Sequence, residues 1–364
     1  MTAPKTPQII GVDLIRYMAA CIVVLFHLCF WIWAGRPGGM GFNVAKLPVQ
    51  FHELAFLRVG AVGVNVFFVI SGFIIAYSAQ KSTAYEFFRN RVVRLMPAIW
   101  IIAPITLAVL FLVKFATPVN LIERFINSIL LLPVGPWVDE VYWTLPIEVA
   151  FYTLVFGLLL IDRFRWLERV MAVSGLASSA FWIAKALGHD VTPDIAGISA
   201  RYIESFMQLS LIHFGCFFAL GVFLWLSLLN RMSISRSVLM VCFTAGCIMS
   251  IHGKGSCVIW LLAVIGIVFS VRFNSLLSAN RQVVRLARVL GLSTYPMYLW
   301  HDVIGAALIG LLLRFGVNRY VALIFAISFV MSATTAIAIS VEPKLQKWLR
   351  SKIDHMSVSF ALSH

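Results

Sequence analysis

Residues 17–35 read YMAACIVVLFHLCFWIWAG. The stretch holds no Lys, Arg, Asp or Glu and is long enough to cross a bilayer as an α-helix. His27 sits near its middle, and Arg16 stands just before it, eleven positions upstream of the histidine. On an α-helix eleven positions make about three turns, about 16 Å of rise and a net rotation of about 20°, so both side chains share one face. An ionisable group at membrane depth is costly and marks a candidate functional site.

The rest of the chain has the same character. Its 364 residues are 61% hydrophobic and 12% charged, against about 25% charged residues in an ordinary soluble domain. Such a chain belongs in a membrane. The apolar runs are continuous rather than alternating, which selects helices over a barrel. The expected fold is all-α, a polytopic integral membrane protein with about ten transmembrane helices, near 12–34, 56–79, 97–116, 142–161, 168–187, 206–228, 237–253, 257–271, 291–313 and 320–341. The spans at 237–253 and 257–271 are short and read as a tight hairpin. The stretch 120–132 is too short to span and reads as an interfacial or re-entrant helix.

The net charge of +14 lies in short segments between the apolar runs. That is the positive-inside pattern, not a nucleic-acid signal. Placing the N-terminus in the cytoplasm puts eighteen of the 29 Lys and Arg in cytoplasmic segments, with both termini inside. The first apolar stretch lacks a small-residue cleavage pattern, so it is read as a span and not as a cleaved signal peptide. The six cysteines all fall in apolar stretches without disulfide or metal-type spacing, and no metal is expected. Residues 1–352 read as one membrane domain, 353–364 as a short tail, with no fused soluble domain. EPKLQKWLRSK (342–352) reads as an amphipathic stub on the inner leaflet.

Five constellations could carry chemistry. Arg16 offers a planar fork of donors to an anion, with Asp13 one turn away to orient it, and His27 could abstract a proton. A snorkelling arginine and a helix-bridging histidine are the alternative. Arg91 and Arg94 in FFRNRVVRLMP (87–97), the loop after the second span, could hold a polyphosphate or simply face anionic lipid. Glu148 in VYWTLPIEVAFY (141–152) needs a buried cationic partner, as an orienting group or as half of a structural ion pair. Ser71, Gly72 and Phe73 interrupt an apolar helix with small residues, for close packing or to admit a thin acyl carrier. In GLSTYPMYLWHDV (291–303), Pro296 interrupts a helix, and Tyr298 lies one turn before His301, with Asp302 adjacent. His213 has no patterned neighbours and reads as structural.

Taken in order, these pieces resemble the acyltransferase-3 family. GVDLIRYMAACIVVLFH (11–27) resembles its opening arginine–histidine motif, FFVISGF (67–73) its SGF motif, and RVVRLMP (91–97) its paired arginines. WTLPIEVAFY (143–152) resembles its W-S-L-x-x-E-x-x-F-Y segment, with Thr144 where serine is frequent. GLSTYPMYLWH (291–301) and VEP (341–343) resemble its late segments. The resemblance runs from Gly11 to Pro343.

It implies a ten-helix enzyme of the bacterial inner membrane that moves an acyl group, usually acetyl, from cytoplasmic acyl-CoA to a sugar hydroxyl. The acceptor would be a lipid-linked oligosaccharide or surface polysaccharide, such as an exopolysaccharide repeat unit. His27 maps to the proposed catalytic base and Arg16 to its motif partner. Arg91 and Arg94 map to the pair that would hold acetyl-CoA, and Ser71, Gly72 and Phe73 to the acyl channel. Glu148 and His301 match motif positions with less settled roles. A covalent acetyl-imidazole is the alternative mechanism. Residues 35–55 and 117–141, with Trp137, Asp139 and Glu140, are the expected sugar contacts. The competing class is a glycolipid transporter or flippase, which needs buried charge but no thioester donor.

Overall fold

The computed structural model describes residues 8–34, 39–46, 50–189, 199–229 and 233–362. The opening apolar stretch begins as α1 (Ile10–Leu25), widens into a π-helical turn at Phe26–Trp31 and closes as α2 (Ile32–Ala34). The expected uninterrupted α-helix therefore ends at Leu25, and His27 sits in the wider turn. Such turns recur at functional sites in helices.

After the short α3 (Met40–Ala45), a 3₁₀ segment at His52–Val62 runs straight into α4 (Gly63–Ala79). α5 (Ala84–Leu112) opens with a reciprocal cap: Glu86 N–H donates to Thr83 Oγ1, and Thr83 N–H donates to the Glu86 carboxylate. Arg91 and Arg94 are thus helical, on the first turns of a rod that starts well before the expected span at 97–116. α6 (Pro118–Ile129) is a short helix over most of the stretch read as interfacial or re-entrant, with Pro118 in its first turn. A 3₁₀ turn at Glu140–Trp143 feeds α7 (Thr144–Leu160), followed by α8 (Leu167–Ala186) and α9 (Ala200–Leu209).

The expected single span at 206–228 is corrected here. α9 stops at Leu209, Leu211 adopts a left-handed φ of 62°, and the chain restarts as α10 (Gly215–Leu229). α11 (Ser235–His252) and α12 (Lys254–Arg272) turn about Gly253, whose φ of 84° suits a residue without a Cβ. The short α13 (Asn274–Ala279) precedes α14 (Arg281–Arg314), which runs through Pro296 without a break, contrary to the expected interruption. Packed neighbours can satisfy the backbone groups that a proline frees in a membrane helix. α15 (Arg319–Ser340) and α16 (Glu342–Leu362) complete the chain. No strand occurs among the described residues.

Among the described residues, eight helical rods are long and apolar enough to cross a membrane. Of the other two expected spans, α10 is shorter, at 15 residues, and α8 falls outside the eight. The chain is an all-α polytopic membrane protein. Apolar side chains also cover its outer faces, including Leu112, Leu262 and Ile324, as lipid contact requires. α10 is apolar all round and buried from Gly215 to Trp225, packed among α4, α8 and α11. α4 and α10 cross closely at Gly72 and Gly221. A Cβ on Gly72 would strike the Phe218 carbonyl, and one on Gly221 the Val69 carbonyl.

Candidate active site

At the end of the bundle that carries Gln8 and the start of α5, a cavity of about 940 Å³ opens between α1, α4, α5, α7, α14 and α16. That is near the top of the range for small-molecule sites, roughly 300–1,000 Å³. Seven cationic side chains and three carboxylates line it. Along α14 the lining runs from Arg288 through Gly291 and Tyr295 to Tyr298. Those ten positions correspond to about 15 Å of depth.

Of the residues singled out above, Asp13, Arg16, Ser71, Arg91, Arg94, Glu148 and Tyr298 line this one cavity. Glu148 is its central acid: one oxygen, Oε1, accepts from Ser71 Oγ at 2.7 Å and from Tyr152 OH at 2.5 Å. Arg16 lies 3.9 Å from Asp13 and within electrostatic reach of Arg94 and Glu148. Gln8 Nε2 donates to the other oxygen of Asp13 at 2.5 Å. Arg94 pairs with Glu342 at 3.6 Å and lies over the Tyr295 ring. Arg91 forms no salt bridge among the described residues; its guanidinium lies over the rings of Phe87 and Tyr152, which leaves its donors available to an anion.

Beyond Tyr298 stands a pair of histidines. Tyr298 OH donates to the Val141 carbonyl at 3.0 Å and lies 2.9 Å from Thr144 Oγ1, which ties α14 to the start of α7. One turn further on, His301 is fully buried, with Nδ1 2.8 Å from the Tyr298 carbonyl and Nε2 3.1 Å from His27 Nδ1. His27 Nδ1 is also 3.0 Å from the Val23 carbonyl. A carbonyl can only accept, so with both rings uncharged each Nδ1 carries the hydrogen. His301 Nε2 then accepts from His27, and the free lone pair of His27 falls on Nε2, which forms no hydrogen bond among the described residues. This assignment follows from the hydrogen-bond network.

Other residues take different places. Gly72 and Phe73 do not line the cavity: Gly72 fits against α10, and Phe73 is fully buried beside Tyr77. Trp137 lies in the loop before α7, with Nε1 donating to the Leu132 carbonyl at 3.1 Å, away from the cavity. Its neighbour Asp139, an expected sugar contact, is fully buried and accepts from the backbone N–H groups of Val141 and Val303. Burial pushes its carboxyl above the usual carboxylate range, against those two bonds. Asp139 is thus a structural clasp, not a surface ligand. Part of the 35–55 segment, residues 35–38 and 47–49, lies outside the described residues. His213, read above as structural, lies 3.2 Å from Glu204 through Nδ1 and accepts from Trp182 Nε1 through its backbone carbonyl.

The sequence reading missed Tyr152, Tyr295, Arg288, Glu342, Gln346 and Arg350. A signal was present. Arg288, Gly291, Tyr295 and Tyr298 repeat at three- and four-residue steps, as do Glu342, Gln346 and Arg350, each set marking one helix face.

The acyltransferase domain family matches residues 9–342, and the chain belongs to this acyltransferase-3 family. It is a multi-pass membrane protein of that family. Among curated relatives, the exopolysaccharide production protein ExoZ of Rhizobium meliloti (strain 1021) is 35% identical over 127 residues, 32% of this chain and 39% of that protein. Nodulation protein 10 of Rhizobium leguminosarum bv. viciae is 29% identical over 193 residues, 47% of this chain and 49% of that protein. The matches thus span less than half the length of each relative. No solved structure matches the chain.

Proposed function

We propose that the protein transfers an acyl group, acetyl in the simplest case, from acyl-CoA to a sugar hydroxyl of a lipid-linked or surface polysaccharide. The observation that carries this reading is the reach of the cavity: its lining includes Arg91, Arg94, Arg16 and Glu148 and extends to Tyr298, and one turn beyond Tyr298, outside the lining, His301 meets His27. The volume and the excess of cations suit a long polyanionic donor. The basic end would face the cytoplasm of a bacterial inner membrane, where acyl-CoA is made. The relative named for exopolysaccharide production supports the polysaccharide acceptor.

The donor supplies an activated acyl group as a thioester. Arg91 and Arg94 hold its phosphates. Nε2 of His27 takes the proton from the attacking hydroxyl, and general-base assistance of this kind is worth about 10²–10⁴-fold. The new ester forms as the thioester breaks, and the proton then passes to the departing thiolate, which restores the imidazole. The Val23 carbonyl and His301 Nε2 face Nδ1–H and stabilise the imidazolium formed in between. Glu148 lies within electrostatic reach of Arg16 and offsets part of its charge. Gly72 and Phe73 contribute packing, and Ser71 contributes a bond to Glu148.

Mass spectrometry of the host's surface glycans tests the reading. Deleting the gene removes one O-acyl substituent, wild-type protein restores it and His27→Ala does not. Unchanged glycans in the deletion strain contradict the proposal.

A further inference from the structure

We infer that Arg288 and Arg350, on two different walls of the cavity mouth, read the phosphate on the ribose of the donor's nucleotide, which makes α16 a wall of the donor site. This inference rests on the acyl-CoA reading above.

Three of the seven cations of the cavity are paired: Arg16 with Asp13, Arg89 with Asp354 at 2.7 Å and Arg94 with Glu342. Arg91 is flanked by two rings and keeps its donors for the diphosphate, and Lys81 offers a point charge rather than a planar fork. Arg288 and Arg350 both line the cavity, are exposed and form no salt bridge among the described residues. Arg350 is aimed by a single neutral contact, donating to Asn90 Oδ1 at 3.3 Å. α16 does not lie loose on a lipid surface: Arg89–Asp354 and a bond from Tyr85 OH to the Ile353 carbonyl, at 3.3 Å, fasten it to α5. Gln346, one turn before Arg350, lines the same cavity.

Spacing then sorts the cations. Arg94 lies over Tyr295. Arg288 stands seven positions before Tyr295 on α14, about 10 Å further towards the opening. Coenzyme A carries its charge in two places, a diphosphate and, beyond the adenosine ribose carbon that bears it, a separate phosphomonoester. An inner pair, Arg91 and Arg94, and an outer pair, Arg288 and Arg350, match that division. The outer pair meets the dianionic monoester, for which forked guanidinium donors suit best.

Equilibrium binding to the detergent-solubilised full chain, by titration calorimetry with coenzyme A and with 3′-dephospho-coenzyme A, tests this directly. Charged hydrogen bonds imply that the wild type prefers coenzyme A by about ten- to a hundredfold. Arg288→Ala/Arg350→Ala removes that preference while its affinity for the dephospho compound stays unchanged. Asn90→Ala, which removes only the tether of Arg350, keeps most of it. Equal wild-type affinity for both compounds overturns the inference and leaves the acyl-CoA reading standing, as does a double variant that keeps the preference. Binding of neither compound overturns both.

Discussion

His27 and His301 meet across two helices, each with its Nδ1 facing a backbone carbonyl. That arrangement chooses the tautomer and leaves the basic lone pair at Nε2 of His27. His301 is in this account a positioning residue. His301→Ala removes the acceptor at Nε2 and leaves His27 free to turn, so kcat falls by about 10²-fold, the scale for a misplaced reacting group, with the KM for acyl-CoA unchanged. His301→Gln, whose amide oxygen can accept from His27, recovers part of kcat. Steady-state kinetics of the two variants check this; equal loss in both, or a change in KM alone, counts against the tautomer role. The motif residues themselves were legible in the sequence. Their pairing was not, because 274 positions separate the two histidines and one chain carries no record of which helices meet.

At the scale of elements, two features depart from what periodicity suggests. The π-helical turn at Phe26–Trp31 is invisible in composition, since the same apolar residues suit an ordinary α-helix. The break between α9 and α10 is equally hidden, because 206–228 is apolar enough to read as one span. Gly72 shows the opposite case. Its small size was evident, but its reason lay in Phe218 and Gly221 on a helix far along the chain. Two readings of Gly72 separate cleanly. If it serves packing, Gly72→Val forces α4 off α10 and costs about 1–3 kcal/mol of stability, seen as a lower thermal midpoint in detergent. If it serves as an acyl passage, the midpoint holds while turnover falls. The packing result is expected.

The whole molecule was the most legible level. Long uncharged stretches, the Lys and Arg bias and the order of the motifs gave the class of fold, and eight qualifying rods with an all-helical chain agree with it. What the sequence could not supply was convergence. Arg16, Ser71, Arg91, Arg94, Glu148 and Tyr298 come from five different helices and meet at one cavity, whereas Trp137 and Asp139 lie elsewhere. The helix read as a membrane stub closes one wall of that cavity. These placements divide the molecule into a cation-lined cavity, the donor end on the proposed reading, and a histidine pair beyond Tyr298, where the lining stops.

The central claim is that His27 serves as the base in transfer from acyl-CoA. Single-turnover transfer of labelled acetyl from acetyl-CoA to a membrane glycolipid fraction, by purified wild-type protein and His27→Ala, tests it most directly. The account predicts product with the wild type and a loss of about 10²–10⁴-fold in the variant, with coenzyme A binding and thermal midpoint retained in both. Transfer at the wild-type rate by a folded His27→Ala protein would contradict it.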